Sequence, residues 1–164
     1  MNSAELVRSI ADGLMSQGMV GRHASYYRRH RELIWVASPR TIFNGSRVAV
    51  DLGVSARLLF PGEWPTDAQC QLHTSFERLG GDVPRVAEPS RWPGRGPYFG
   101  VVLDPRDPRM SDGERYAAIG FMTREISTVT TQIVTIGQLA VMVRDPDVRR
   151  PLMSKELKRM LTEP

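Results

Sequence analysis

The feature that most constrains this chain is a switch to two-residue hydrophobic periodicity between positions 24 and 57. In RVAVDLGVSAR one side of a strand would carry Val48, Val50, Leu52 and Val54, and the other Arg47, Ala49, Asp51 and Gly53. The Asn44-Gly45 pair before it suits a tight hairpin turn, because both residues tolerate positive φ. The preceding run LIWVASPRTIF is therefore predicted to pair with it antiparallel.

A helix is predicted before this ribbon. Residues 3 to 17 place four apolar side chains on one helical face, with Ser3 as N-cap and Gly18 just past the end. Those apolar residues are Leu6, Val7, Ile10 and Leu14. The face would pack on the sheet.

A long helix is predicted over 112–143. Ser111 and Glu114 have the spacing of a capping box, and eight apolar residues then recur every three or four positions. They are Ile119, Met122, Ile126, Val129, Ile133, Ile136, Ala140 and Val143. The alternatives are a break at Gly120 or Gly137, and a homodimer seam, since this spacing is also that of a coiled coil. We favour packing across the sheet, because charged flanking residues are missing from 127–143.

The segment CQLHTSFERL fits both a helix and a strand, and alternation favours a further strand by a narrow margin. Residues 80–110 hold much of the Pro and Gly and are predicted to be a long loop, with PYFGVVL as a short strand inside it.

Together these elements predict a single α+β domain over 1–164. Its antiparallel sheet of about four strands is covered by the N-terminal helix and the long C-terminal helix.

Composition sets limits on class and location. At 164 residues, with 41% hydrophobic and 24% charged residues, the chain is typical of one globular domain. Cys70, its single cysteine, cannot form an internal disulfide, and no secretory signal or membrane span is recognisable. We expect a bacterial cytoplasmic protein.

The positive charge is carried almost entirely by arginine. The net charge is +4, and of the 22 basic residues only Lys155 and Lys158 are lysines. Guanidinium groups make bidentate contacts with phosphates and carboxylates, so this bias can indicate anion recognition. A GC-rich genome, whose codons favour arginine, is the interpretation we prefer.

The order of elements resembles a bacterial family catalogued as domain of unknown function 4304. The matching positions span roughly residues 4–80 and are Gly18, Tyr27 with Arg28, Leu52-Gly53-Val54, and Cys70 with Arg78-Leu79. The chain departs from the family at Pro39 and Arg40 and in the loop around Trp92. The resemblance implies an antiparallel sheet covered by helices, and it implies no activity or catalytic residue.

No catalytic, metal or cofactor site is predicted. Cys70 and His73 stand three residues apart, which on a strand places them on opposite faces, although a helix would bring them together. DPRDP and RDPD lack the spacing of a calcium loop, and GRGPYFG lacks the pattern of a phosphate loop. We therefore predict a protein that is not an enzyme.

The stretch RHASYYRRHRELIWVASPR contains the candidate binding residues, which are Tyr26, Arg28, Arg29, His30, Arg31 and Trp35. Tyr, Trp and Arg anchor protein interfaces, so a protein-interaction module, for example an immunity or antitoxin-like protein, is predicted. Nucleic-acid binding is the alternative, because cations neutralise phosphate and rings stack on bases. An ordinary solvated strand end is the third interpretation, since the pleat divides the cluster between two faces.

A small-molecule site is a further alternative. Trp92, Tyr98 and Phe99 lie in the long loop, and apolar concave sites with few polar groups bind small ligands. The sequence does not show whether these rings converge.

Overall fold

A computed structural model describes residues 1–79, 103–146, 148 and 150–162. Its elements in chain order are α1 (Ser3–Ser16), β1 (Val20–Arg22), β2 (Ser25–Arg29), β3 (Leu33–Ile42), β4 (Arg47–Ala56), a 3₁₀ turn (Asp67–Gln69), β5 (Leu72–Ser75), α2 (Phe76–Leu79), α3 (Asp112–Gln132), α4 (Ile136–Arg144), β6 (Leu152–Met153) and α5 (Lys155–Thr162).

The strands form one antiparallel sheet in the order β1-β2-β3-β4-β5-β6. The α+β class with an antiparallel sheet is confirmed. The predicted number of about four strands is corrected to six. The two additional strands lie at the sheet edges and contain only three and two residues, which is too short for alternation to be recognised.

The β3-β4 hairpin is confirmed, but its turn is longer than predicted. Ile42 pairs with Arg47, so the loop contains four residues rather than two. Phe43, Asn44 and Gly45 all have positive φ. Two successive turn hydrogen bonds, Gly45 N–H to Ile42 O and Ser46 N–H to Phe43 O, close it.

Alternation along β4 is confirmed by burial. Val48, Val50, Leu52 and Val54 are buried on the inner face, the side of the sheet that the helices cover. On this face α1 and α3 pack with one half of the strands, and α4 and α5 pack with the other half around Trp35. The outer face carries a smaller buried cluster of Tyr27, Ile34, Val36 and Cys70, with Trp64 packed against it.

Capping residues fix where the helices begin. The predicted capping box of Ser111 and Glu114 is confirmed. At α1 the N-cap is Asn2 and not Ser3, because the Asn2 carboxamide accepts from Glu5 N–H while the Glu5 carboxylate accepts from Asn2 N–H. The prediction was wrong by one residue.

The predicted long helix is two helices, α3 and α4, and the break lies at Ile133–Thr135 rather than at a glycine. Thr135 caps α4, and the Gln138 side chain accepts from the Val134 and Thr135 N–H groups. Ile133 O accepts from the Trp35 indole. These bonds satisfy the backbone at the break, and three β-branched residues disfavour helix there. The apolar stripe packs within one chain, and the homodimer stays a prediction.

The segment 70–79 contains both predicted structures, a strand from Leu72 to Ser75 followed by a short helix.

Most of the predicted loop 80–110 lies outside the described residues, and so does PYFGVV, which is most of its predicted short strand. The described part, 103–110, consists of turns. None of the described helices combines the length and apolar character that a membrane span requires.

Candidate functional site

A cleft lined by cationic side chains lies where β2 runs into the turn before β3. It has a volume of about 500 Å³ and is lined by Gly18, Val20, Tyr27, Arg28, Arg29, His30, Arg31 and Arg57. We call these eight residues the arginine cleft. Four of the predicted binding residues, Arg28, Arg29, His30 and Arg31, belong to it.

The pleat of β2 separates the cationic residues as the sequence predicts. Tyr26 packs against the inner core, whereas Tyr27 belongs to the outer cluster. Arg28 follows Tyr26 onto the inner side and reaches α3, while Arg29 follows Tyr27 and contacts Trp64 on the outer side. The cleft opens at the end of the strand, so it receives groups from both faces.

Arg28 connects three elements through neutral acceptors. Its guanidinium donates to Thr131 Oγ1 at 2.9 Å, to Ser127 Oγ at 3.2 Å and to Gln17 O. Burial lowers the pKa of Arg28, because desolvation disfavours the charged form. Arg28 has no carboxylate partner among the described ion pairs. Its positive charge therefore contributes to the potential in the cleft.

Arg29 is held in place by an aromatic ring. Its guanidinium carbon lies 4.3 Å from the centroid of the Trp64 ring, and Nη1 is 3.2 Å from Glu63 Oε2. Trp64 also contacts Tyr27 edge-to-face, with 5.1 Å between ring centroids. The ring thus fixes Arg29 at the rim of the cleft, and the exposed ion pair with Glu63 is weak because water screens it.

His30, Arg31 and Arg57 complete the lining of the cleft. His30 Nε2 is 2.6 Å from Thr130 O, so this nitrogen carries the proton that it donates to the carbonyl. Arg57 Nε donates to His30 O at 2.8 Å. Arg31 is exposed, and neither it nor Arg57 has a carboxylate partner in the part of the chain that the structure describes.

Three arginines outside the cleft have carboxylate partners among the described ion pairs. Arg40 pairs with Asp51, Arg47 with Asp104 at 3.2 Å, and Arg109 with Asp107 at 2.5 Å. In the cleft only Arg29 has such a partner among the described ion pairs. Arg28, Arg31 and Arg57 therefore bring to one cleft positive charge that no described carboxylate balances.

Two predicted binding residues do not belong to the cleft. Trp35 is fully buried, and its indole N–H donates to Ile133 O at 2.8 Å. Its place in a contact surface is corrected, since it is a core residue between the sheet and the helix break. Tyr26 is partly buried against the inner core, where burial and the nearby Asp12 raise its pKa.

The predicted small-molecule pocket of Trp92, Tyr98 and Phe99 lies outside the described residues.

Several residues of the site were missed from the sequence. Arg57 lies next to His30 because Leu33 pairs with Ala56, and the predicted hairpin already contained that signal. Gly18 adopts φ of 82° at the end of α1, a conformation that favours glycine. Trp64 had no local signal, since it reaches Arg29 through a long loop.

Cys70 and His73 lie on the same side of the sheet, which corrects the prediction of opposite faces. Cys70 precedes the strand, and its Sγ packs against Gly53, with which His73 pairs. Burial, with a smaller contribution from Asp67, raises the pKa of the Cys70 thiol to about 12. The thiolate that nucleophilic catalysis requires is therefore scarce at neutral pH.

Comparison with protein-family models, with curated proteins and with solved structures finds no match to this chain. The resemblance to domain of unknown function 4304 stays a prediction.

Proposed function

We propose that this protein is a non-enzymatic binding protein that takes an acidic segment of a partner protein into the arginine cleft. The observation that carries the proposal is the convergence of Arg28, Arg29, Arg31 and Arg57 on one open cleft with a single described carboxylate partner. Unbalanced guanidiniums attract anions and make charge-assisted hydrogen bonds with carboxylates.

The aromatic residues favour a protein partner over a nucleic acid. Single-stranded nucleic acids bind by stacking bases on exposed rings. Tyr27 is 5% exposed, and Trp64 is in contact with Tyr27 and with the guanidiniums of Arg22 and Arg29. The rings at the cleft support arginines, so they do not offer a stacking platform.

An immunity or antitoxin-like protein is one concrete form of this function. Such a protein blocks its partner by binding, so it needs a charged contact surface and no chemistry of its own. Electrostatic complementarity would speed association and select an acidic partner. The proposal needs no metal or cofactor.

The experiment measures binding of a fluorescent decapeptide of Glu and Asp by anisotropy at about 50 mM salt. We compare Arg31→Glu with Arg8→Glu, because both side chains are exposed and both changes alter net charge equally. Arg8 lies in α1, about 13 Å along the helix axis from Gln17. We expect Arg31→Glu to weaken binding about tenfold or more, and Arg8→Glu to change it less than threefold.

Two further ligands define the outcomes. A decapeptide of Gln and Asn should not bind, because it lacks carboxylates. A random single-stranded oligonucleotide that binds more tightly than the acidic peptide, with a loss on Arg31→Glu, would replace the proposal with the nucleic-acid alternative. Absence of binding to both anionic ligands would overturn the cleft as a binding site.

A further inference from the structure

The edge of β2 is only partly covered by β1. β1 pairs Val20, Gly21 and Arg22 with residues 27, 26 and 25, whereas β3 pairs with β2 as far as Arg29. The chain leaves the sheet at Gly18, where φ is 82°. Beyond Tyr27 none of the described strands pairs with β2 on the side away from β3, and Gly18, Arg28 and Arg29 line the arginine cleft there.

The direction of the backbone groups along this edge follows from the register. His30 N–H donates to Leu33 O, so even-numbered residues of the segment direct their N–H and C=O groups toward β3. Tyr27 and Arg29 then direct theirs toward the opposite edge. At Tyr27 this edge is occupied by Val20 of β1. The hydrogen bonds described outside the helices and strands include none from Arg29 N–H.

We infer that the partner's acidic segment binds in extended conformation, as a short additional strand beside Arg29 in continuation of β1. This inference rests on the proposed function and adds the mode of recognition. Backbone hydrogen bonds at Arg29 give affinity that does not depend on sequence, as in other cases of strand addition. Arginine side chains around the edge select carboxylates.

The pleat also defines which ligand sequences fit. Successive side chains of an added strand point to opposite faces. One set would meet Arg29 and Arg31, and the other would meet Arg28, so acidic residues at adjacent positions are recognised together. Because β2 ends at Arg29, the unpaired edge is short and matches an ordered segment of about three or four residues.

The experiment measures amide hydrogen exchange by NMR in the whole protein, alone and saturated with the Glu/Asp decapeptide. Arg29 N–H should exchange rapidly in the protein alone and at least about tenfold more slowly in the complex, with a downfield shift of its proton. Arg28 N–H is the internal control, because it already points to β3 and should be protected in both states.

The outcomes separate the inference from the proposed function. If the peptide binds and Arg31→Glu weakens it, but Arg29 exchange does not change, strand addition is wrong while anion binding stands. If the peptide does not bind, both proposals fail. Slower exchange at Arg29 together with unchanged Arg28 supports the added strand.

Discussion

The two faces of β2 use the same residue types for different purposes. On the inner face Tyr26 packs in the core, Arg28 donates to α3 and to the end of α1, and His30 donates to Thr130 O. Beyond Tyr27 on the outer face, Arg29 rests on Trp64, and Arg31 in the turn that follows is exposed. Position in the pleat thus decides whether a cleft arginine also connects elements of the fold, as Arg28 does, or lines the cleft without such contacts to the helices, as Arg29 does.

The inner and outer faces of the sheet also differ in how completely they are covered, so substitutions on them should affect different properties of the protein. The inner face is buried beneath four helices, whereas only a small cluster around Tyr27 and Cys70 covers part of the outer face. Substitutions on the inner face should therefore change the free energy of unfolding, and substitutions of exposed outer residues should change affinity.

The largest effect is expected for Trp35→Ala, because Trp35 is fully buried between the sheet and the break of α3 and α4. The free energy of unfolding should fall by about 3–5 kcal/mol. Urea denaturation followed by circular dichroism measures it. Arg31→Ala, an exposed residue of the turn after β2, is the control, with an expected change within about 0.5 kcal/mol. Similar changes in both variants would remove the distinction between the buried inner face and this exposed turn.

A smaller effect is expected for Gly53→Ala on the covered part of the outer face. A Cβ at position 53 would lie 2.6 Å from Cys70 Sγ, which is too close without a shift of the loop. We expect a loss of about 1–3 kcal/mol. The double variant Gly53→Ala, Cys70→Ala should recover part of that loss, since it removes the sulfur. A purely additive double variant would show that contact with Cys70 is not the cause.

The smallest change in stability is expected up to pH 9, where the thiol of the unfolded chain only begins to ionise. The pKa of Cys70 is raised from 9.0 to about 12, so the buried thiol stabilises the fold fully below pH 9 and loses this contribution as pH rises toward 12. At pH 9 a thiol reagent should label the native protein at least about 100-fold more slowly than the urea-unfolded chain. Equal labelling rates would show that the outer cluster does not shield Cys70.

Much of the fold could be predicted from local patterns. Alternation in β4 assigned its inner and outer residues, and the Ser111–Glu114 box fixed the start of α3. The edge strand β1 was missed, because His23 and Ala24 join it to β2 with positive φ and without a glycine to mark the turn, and β6 was missed because it has only two residues. The alternative of a helix break was placed at a glycine rather than at Ile133–Thr135, because tertiary hydrogen bonds with Trp35 and Glu32 support the break there.

The candidate site was predicted only in part. Arg28 to Arg31 were recognised as one stretch, and the two-residue period placed Arg28 and Arg29 correctly on opposite faces of β2, whereas Arg31 lies in the turn beyond the strand. Trp35 was placed among them because the side chain is aromatic, although its alternation with Leu33 and Ala37 on β3 indicates the inner face. Arg57 and Trp64 depend on long-range packing, which local periodicity does not report.

The most direct test of the account compares the unfolding free energies of Arg28→Ala and Arg31→Ala in the same buffer. Arg28→Ala removes donors to α3 and to Gln17 O, so it should lose about 1–3 kcal/mol, whereas Arg31→Ala should stay within about 0.5 kcal/mol of the unsubstituted protein. Equal losses in the two variants would contradict the claim that Arg28 holds the fold together while Arg31 serves only the cleft.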